Sequence, residues 1–224
     1  MARYAGTAFS VSSTATNKKN MKLLTHPLYL APVPLYAQLY AADSLIVDTN
    51  SPFVKQTFRN RAIIATENGT QSLTIPVVHD GSRAMRDIRI SEHGNWRHLH
   101  WNAIVSAYRK SPFFEYYADD FAHFYEERDG FLLDFNMRLH TTLCELLGIE
   151  RPVLSDLKEI AAKDILDIRA IAEPKAIDSV RNYTAHPYYQ VFATRHGFIK
   201  DLSIVDLLFN MGPEALIVLR DSCK

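Results

Sequence analysis

From Met21 onward the apolar positions fall into runs whose period changes about midway along the chain. Residues 22–30 read as a short strand that enters a proline-marked turn, from His26-Pro27 to Pro34. Residues 35–42 (LYAQLYAA) are helical in composition, and 44–48 (SLIVD) form a short apolar run of the kind buried in a parallel sheet. Strand, helix, strand predicts a parallel βαβ start. Residues 61–66 and 72–78 then flank Glu67-Asn68-Gly69-Thr70, where Asn-Gly between apolar alternating runs is a strong hairpin signal. Leu73, Ile75 and Val77 share one face, and Pro76 places the second run at an edge or bulge. Residues 87–90 read as one further strand.

Helical spacing takes over at Asn95. A helix is expected over 96–110 with Asn95 as its N-cap, then a shorter aromatic one after Pro112 that 119–127 continues or replaces. The next runs over 131–147, where Leu132, Phe135, Leu139, Leu143 and Leu146 make a stripe that Gly148 ends. Residues 155–168 give mixed signals. Ser203-x-x-Asp206 reads as a capping box for SIVDLLFN, Gly212 closes that helix, and Pro213 opens another. The expected class is α/β: a mixed sheet with a parallel start and an antiparallel hairpin, and a helix-rich C-terminal half. Residues 1–21 are small and polar and predict a disordered tail, leaving 22–224 as a single domain.

Composition narrows the function classes. Lys+Arg and Asp+Glu are both 25 in 224 residues, a balance that argues against a duplex nucleic-acid binder, which needs a basic excess. No apolar run reaches the roughly 20 residues of a membrane span. Cys144 in a helical pattern and Cys223 near the C-terminus predict no structural disulfide and a reducing cytoplasm. P-loop, dinucleotide-binding glycine fingerprint, nucleophile elbow and C-x-x-C pair are all missing, and 8 glycines leave little for a phosphate cradle. No cofactor is expected.

Candidate chemistry therefore rests on scattered polar residues. His93, His98 and His100 are poorly spaced for one metal, because residues two apart on a helix point about 200° apart; no metal is expected. His98 and Asn102, four apart, share a face and could hold a hydroxyl or phosphate with His98 carrying a proton, or simply bond back onto the sheet. Asp48 ends an apolar strand, where carboxylates of open α/β sheets face the ligand crevice. Lys55, Arg59, Asn60 and Arg61 follow, with both arginines expected on one face of an extended segment. An Asp with such cations suits an anionic ligand, or equally a structural Arg–Asp pair. Gln190 in His186-Pro187-Tyr188-Tyr189-Gln190 is a candidate hydrogen-bond donor to a pocket. Phe113, Phe114, Tyr116, Tyr117, Phe121 and Phe124 suit a helix packed on the core, or a sugar-stacking or partner surface.

Several blocks together carry a resemblance. Pro27-x-Tyr29-Leu30 with Pro32, the 55–61 run ending Arg-Asn-Arg, and Leu73-Thr74-Ile75-Pro76-Val77 come first. Asp87-Ile88-Arg89-Ile90, residues 95–101, Ser106-Ala107-Tyr108 to Pro112-Phe113-Phe114, and Cys144 to Ile149 follow in order. Tyr189-Gln190, Gly197-Phe198-Ile199 and residues 202–210 close the series. This pattern resembles the WbqC-like proteins. The chain departs from it at His26-Pro27, where many members have Gln-Pro. It also has Thr49-Asn50-Ser51-Pro52-Phe53 where many carry an acidic stretch with Gln, which weakens a catalytic carboxylate there. The resemblance implies a cytoplasmic enzyme of bacterial surface-polysaccharide (O-antigen type) biosynthesis. Its expected activity is an acyl- or aminoacyl-(glycyl-)transferase acting on a nucleotide-linked sugar, with a nucleotide sugar or acyl donor as small-molecule partner. A non-catalytic binding or assembly protein is the alternative. The expected catalytic set is His98, Asp48 and Asn102. Arg89, Trp96 and Tyr108, from the resembling blocks, join Lys55, Arg59, Asn60, Arg61 and Gln190 as the expected substrate-binding set.

Overall fold

A computed structural model describes residues 21–150, 153–154 and 164–223. The 1–20 segment and residues 155–163 of the mixed-signal stretch lie outside the described residues. The chain opens with β1 (Lys22–Thr25), α1 (Val33–Ala41) and β2 (Ser44–Val47), and β1 and β2 pair in parallel from Lys22↔Ser44 to Thr25↔Val47. Helix α1 is buried from Val33 to Leu39. Pro34 sits in its first turn, where a missing N–H costs nothing. Leu23-Leu24 of β1 and Leu45-Ile46 of β2 are buried in succession because both faces of the sheet are covered.

The hairpin β3 (Arg61–Thr66) and β4 (Gly69–Thr74) pairs as Asn68-Gly69 requires, with Thr66↔Gly69 at the turn and Gly69 at φ 109°. It forms a sheet of its own, and Pro76 lies beyond it. Residues 87–90 are not a strand. A 3-10 turn over Met85–Asp87 precedes two lone bridges, Val77↔Ile90 and Arg89↔Phe131. Alternating apolar residues here bury Ile88 and Ile90 without finding a continuous partner.

Three long helices follow: α2 (Trp96–Tyr108), α3 (Phe114–Glu126), unbroken through 119–126, and α4 (Leu132–Leu147). Asn95 occupies the cap position of α2 but takes a left-handed conformation and makes no side-chain cap bond. Leu132, Phe135, Leu139 and Leu143 of the stripe are buried, with Leu147 taking the place expected of Leu146. Gly148, at φ 66°, ends the helix. Strands β5 (Val153–Leu154) and β6 (Ile165–Asp167) then complete a four-stranded parallel sheet in the order β5-β2-β1-β6. Both escaped the pattern reading because they are two and three residues long. A short α5 (Ala193–His196), α6 (Ile204–Met211) and α7 (Ala215–Asp221) finish the fold.

The capping box at α6 is not formed. Ser203 donates its hydroxyl to the Leu30 carbonyl (2.8 Å), and Asp206 accepts from Tyr188 and Gln190 instead. Tertiary bonds have displaced the local ones. Phe209 of α6 packs at the centre against Tyr108, Phe114 and Phe121. Of the six-residue aromatic cluster, Phe114, Tyr117, Phe121 and Phe124 are core, and Tyr116 is 77% exposed. No described helix is long and apolar enough to cross a membrane. Cys144 and Cys223 are free thiols.

Candidate functional site at the carboxyl edge of the parallel sheet

Register brings three strand ends to one edge. The Asp48 N–H donates to the Thr25 carbonyl (2.8 Å) and the Ile168 N–H to the Leu24 carbonyl (2.9 Å). His26, Asp48 and Arg169 therefore leave β1, β2 and β6 side by side, where ligands of open parallel sheets bind. Asp48 Oδ1 accepts from the backbone of Asn50 (3.2 Å) and Ser51 (3.0 Å), which folds the loop after β2 back on itself. Its Oδ2 accepts from Arg169 Nη1 (2.9 Å), and the rest of that guanidinium clamps Asp167, closest at 2.7 Å. The Arg–Asp pair expected around Asp48 exists, but its arginine comes from the turn that follows β6 rather than from the 55–61 run.

His26 lies beneath this clamp. The Ser51 hydroxyl lies 2.8 Å from His26 Nδ1 and 3.1 Å from the Asp48 carbonyl, and its one proton serves either contact. The other ring nitrogen, Nε2, makes no hydrogen bond among the described residues. Burial, and next the charge of Arg59, push the His26 pKa down to about 4, with Asp48 and Asp167 opposing. The imidazole is neutral at neutral pH, offering one donor and one acceptor, as a glutamine amide would.

Arg59 closes the back of the site. Its side chain is 5% exposed; Nη1 donates to Thr57 (3.2 Å) and Glu173 (3.3 Å), while Nε has no acceptor. Burial lowers its pKa, and Glu173 and Asp48 hold it up. Asn136 of α4 fixes the backbone here, its Nδ2 donating to the carbonyls of Arg59 (2.8 Å) and Pro27 (3.4 Å). The hydroxyl of Thr25 and Oδ1 of Asn136 are buried without partners, and both residues line a small void with His26.

The expected site residues do not assemble as one cleft. Arg59 and Arg61 do not share a face, because 55–60 is a series of turns with Gln56 left-handed rather than an extended segment. Arg61 instead bonds Thr74 across the hairpin (3.3 Å), Lys55 is exposed, and Asn60 is tied to the Ile75 carbonyl (2.8 Å). Arg89 is exposed above the Phe131 ring. Gln190 spends its amide on Ile199 and Asp206, and buried Tyr108 accepts from the Ala65 N–H. His98 and Asn102 do meet, at 2.8 Å on the exposed face of α2. They sit away from Asp48: His98 and Trp96 line a cleft of about 390 Å³ at the start of α2, and Asn102 a groove of about 440 Å³ against the hairpin. Buried His100, on the opposite side of α2 from His98, bonds Tyr29 (3.0 Å). Among the described residues no three His, Cys, Asp or Glu side chains gather as metal ligands.

His26, Ser51, Asp167, Arg169 and Glu173 were not anticipated. His26 follows an apolar run as Asp48 does, so the strand-end rule reaches it; Arg169 carried no signal, since β6 is too short to be read. No solved structure matches the chain. An uncharacterized protein of Mycobacterium tuberculosis (strain ATCC 25618 / H37Rv), Rv1507c, is 29% identical over 204 residues, covering 80% of this chain and 88% of that protein. The model of the WbqC-like protein family matches residues 27–172, which take in β1's exit loop, Asp48, Arg59 and Arg169. The chain belongs to the WbqC-like protein family.

Proposed function

We propose that the protein is a cytoplasmic group-transfer enzyme of bacterial surface-polysaccharide biosynthesis. It moves an acyl or aminoacyl group onto a nucleotide-linked sugar at the carboxyl edge of the parallel sheet. One observation carries the reading: the strand register sets His26, Asp48 and the exposed Arg169 together at this edge, with His26 Nε2 making no hydrogen bond among the described residues. A neutral imidazole suits the N–H or O–H of an attacking group, and an exposed guanidinium suits a carbonyl or phosphoryl oxygen gaining charge. His26 orients rather than titrates, consistent with glutamine at this place in many similar proteins. Asp48 and Asp167 hold Arg169 as the exposed cation at the mouth.

The assembly alternative calls for a broad exposed aromatic face after Pro112, and the burial of that helix does not favour it. Thermal-shift measurements on the whole chain with nucleotide sugars, free nucleotides and acyl donors test the proposal. A nucleotide-linked sugar should raise the melting temperature, and Arg59→Gln or Asp48→Asn should abolish that rise while the protein stays folded. If no member of the three classes shifts the transition, this reading is wrong.

A further inference from the structure

Charge separates the larger cavities. The cleft at the start of α2 sets Arg97 and Arg128 against Glu92 and Glu126, and the one beside the end of α4 carries Glu145 and Glu150. The groove between α2 and the hairpin differs. One face of α2 lines it, Asn102 and Ser106 beside Ala103 and Ala107, because residues four apart lie one above the other. The hairpin turn lines it too, and Arg195 and His196 of α5 hold that turn through the carboxylate (2.7 Å) and the carbonyl (2.9 Å) of Glu67. The groove's one carboxylate is thereby taken. Arg109 and Lys110, at the end of α2, are exposed and pair with no carboxylate among the described residues. The carboxyl end of the helix favours two cations there without neutralising them. A concave surface of about 440 Å³ with a surplus of one sign concentrates the opposite charge. Uncharged polar groups are free as well. Nδ2 of Asn102 donates to His98 (2.8 Å), which leaves its oxygen to accept, and the side chains of Ser106 and Gln71 make no hydrogen bond among the described residues.

We infer that this groove binds a sugar phosphate, with the phosphate on Arg109 and Lys110, the ring over Ala103 and Ala107, and the hydroxyls on Asn102, Ser106 and Gln71. An arginine fork and a lysine point charge are the two side chains that phosphate oxygens suit best. The site is independent of the strand-end proposal, and its test reads the two apart. Isothermal titration calorimetry of the whole chain uses glucose, mannose and ribose phosphates, with the parent sugars and inorganic phosphate in parallel, at ionic strength matched with chloride. At least one sugar phosphate should bind saturably, and about tenfold more tightly than both its parent sugar and inorganic phosphate. Replacing both cations, Arg109→Ser with Lys110→Ser, should weaken that binding by about tenfold or more. Ser106→Tyr, which fills the groove from an exposed position, should weaken it likewise. Asp48→Asn, which breaks the strand-end cluster, should leave this binding unchanged. No saturable binding, equal binding of inorganic phosphate or of the parent sugar, or unaltered affinity in the double variant overturns the inference, as does a loss confined to Asp48→Asn. Both substituted cations are exposed, so the circular dichroism spectrum should stay parental; should the double variant misfold, Ser106→Tyr decides.

Discussion

Single residues set the tolerances of this fold. Gly212 ends α6 at φ 53°, and a Cβ there would stand 2.5 Å from the Phe113 ring. Gly212→Ala meets both left-handed strain and an aromatic side chain wedged between helices, so a loss of about 2–4 kcal/mol is expected in urea unfolding. Asp206 is a second such position. Burial pushes its pKa up to about 6, against the hydrogen bonds of Tyr188, Gln190 and Tyr108. A carboxyl that binds its proton more tightly folded than unfolded makes the protein more stable as pH falls from about 6 to 4. The contribution is on the order of 3 kcal/mol. Asp206→Asn should remove that gain, leaving a variant that loses stability more steeply in acid than the parent does.

At the scale of elements, Asn136 shows how helix and sheet are locked together. Its amide on α4 holds the carbonyls of Pro27 and Arg59, one on each side of the candidate site. Asn136→Leu fits the buried stripe of α4 but orphans both carbonyls. A cost of about 2–4 kcal/mol is expected from denaturant melts, together with loss of any nucleotide-sugar thermal shift. The elements themselves were legible where periodicity ran long enough: α4 and its glycine stop, the Asn-Gly hairpin, and the parallel β1–α1–β2 start all follow from spacing. Local signals failed where a distant partner outbid them. Ser203 bonds Leu30 rather than capping α6; Asn95 fails for a local reason, its left-handed backbone departing from the extended conformation of a capping residue. The candidate site was half legible for the same reason as Ser203. Asp48 is visible at its strand end, but the arginine that meets it is 121 residues away, just past a strand too short to announce itself.

For the whole molecule the acid response is set by buried histidines. His26, His100 and His140 are each pushed down to about 4 by burial, against an ordinary value of 6.5. Each stays neutral in the folded protein while its unfolded counterpart takes a proton. Their contribution is therefore complete above pH 6.5 and is lost as pH falls towards 4, by up to about 3 kcal/mol apiece. Three such losses outweigh the single opposing gain of Asp206, so the urea midpoint should fall between pH 7 and 5; a flat or rising midpoint would contradict the buried, neutral assignment.

The strand order has a kinetic side. β1 lies in the middle of its sheet, yet the neighbour on one flank, β6, begins only at Ile165. Until that segment arrives, β1 presents an open parallel edge, and closing so long a loop is slow as well as exposed to mispairing. Arg169 travels with the same late strand. The last slow phase of refolding should therefore be the one that brings Arg169 to Asp48, so that a nearly folded chain still lacks the assembled strand-end cluster.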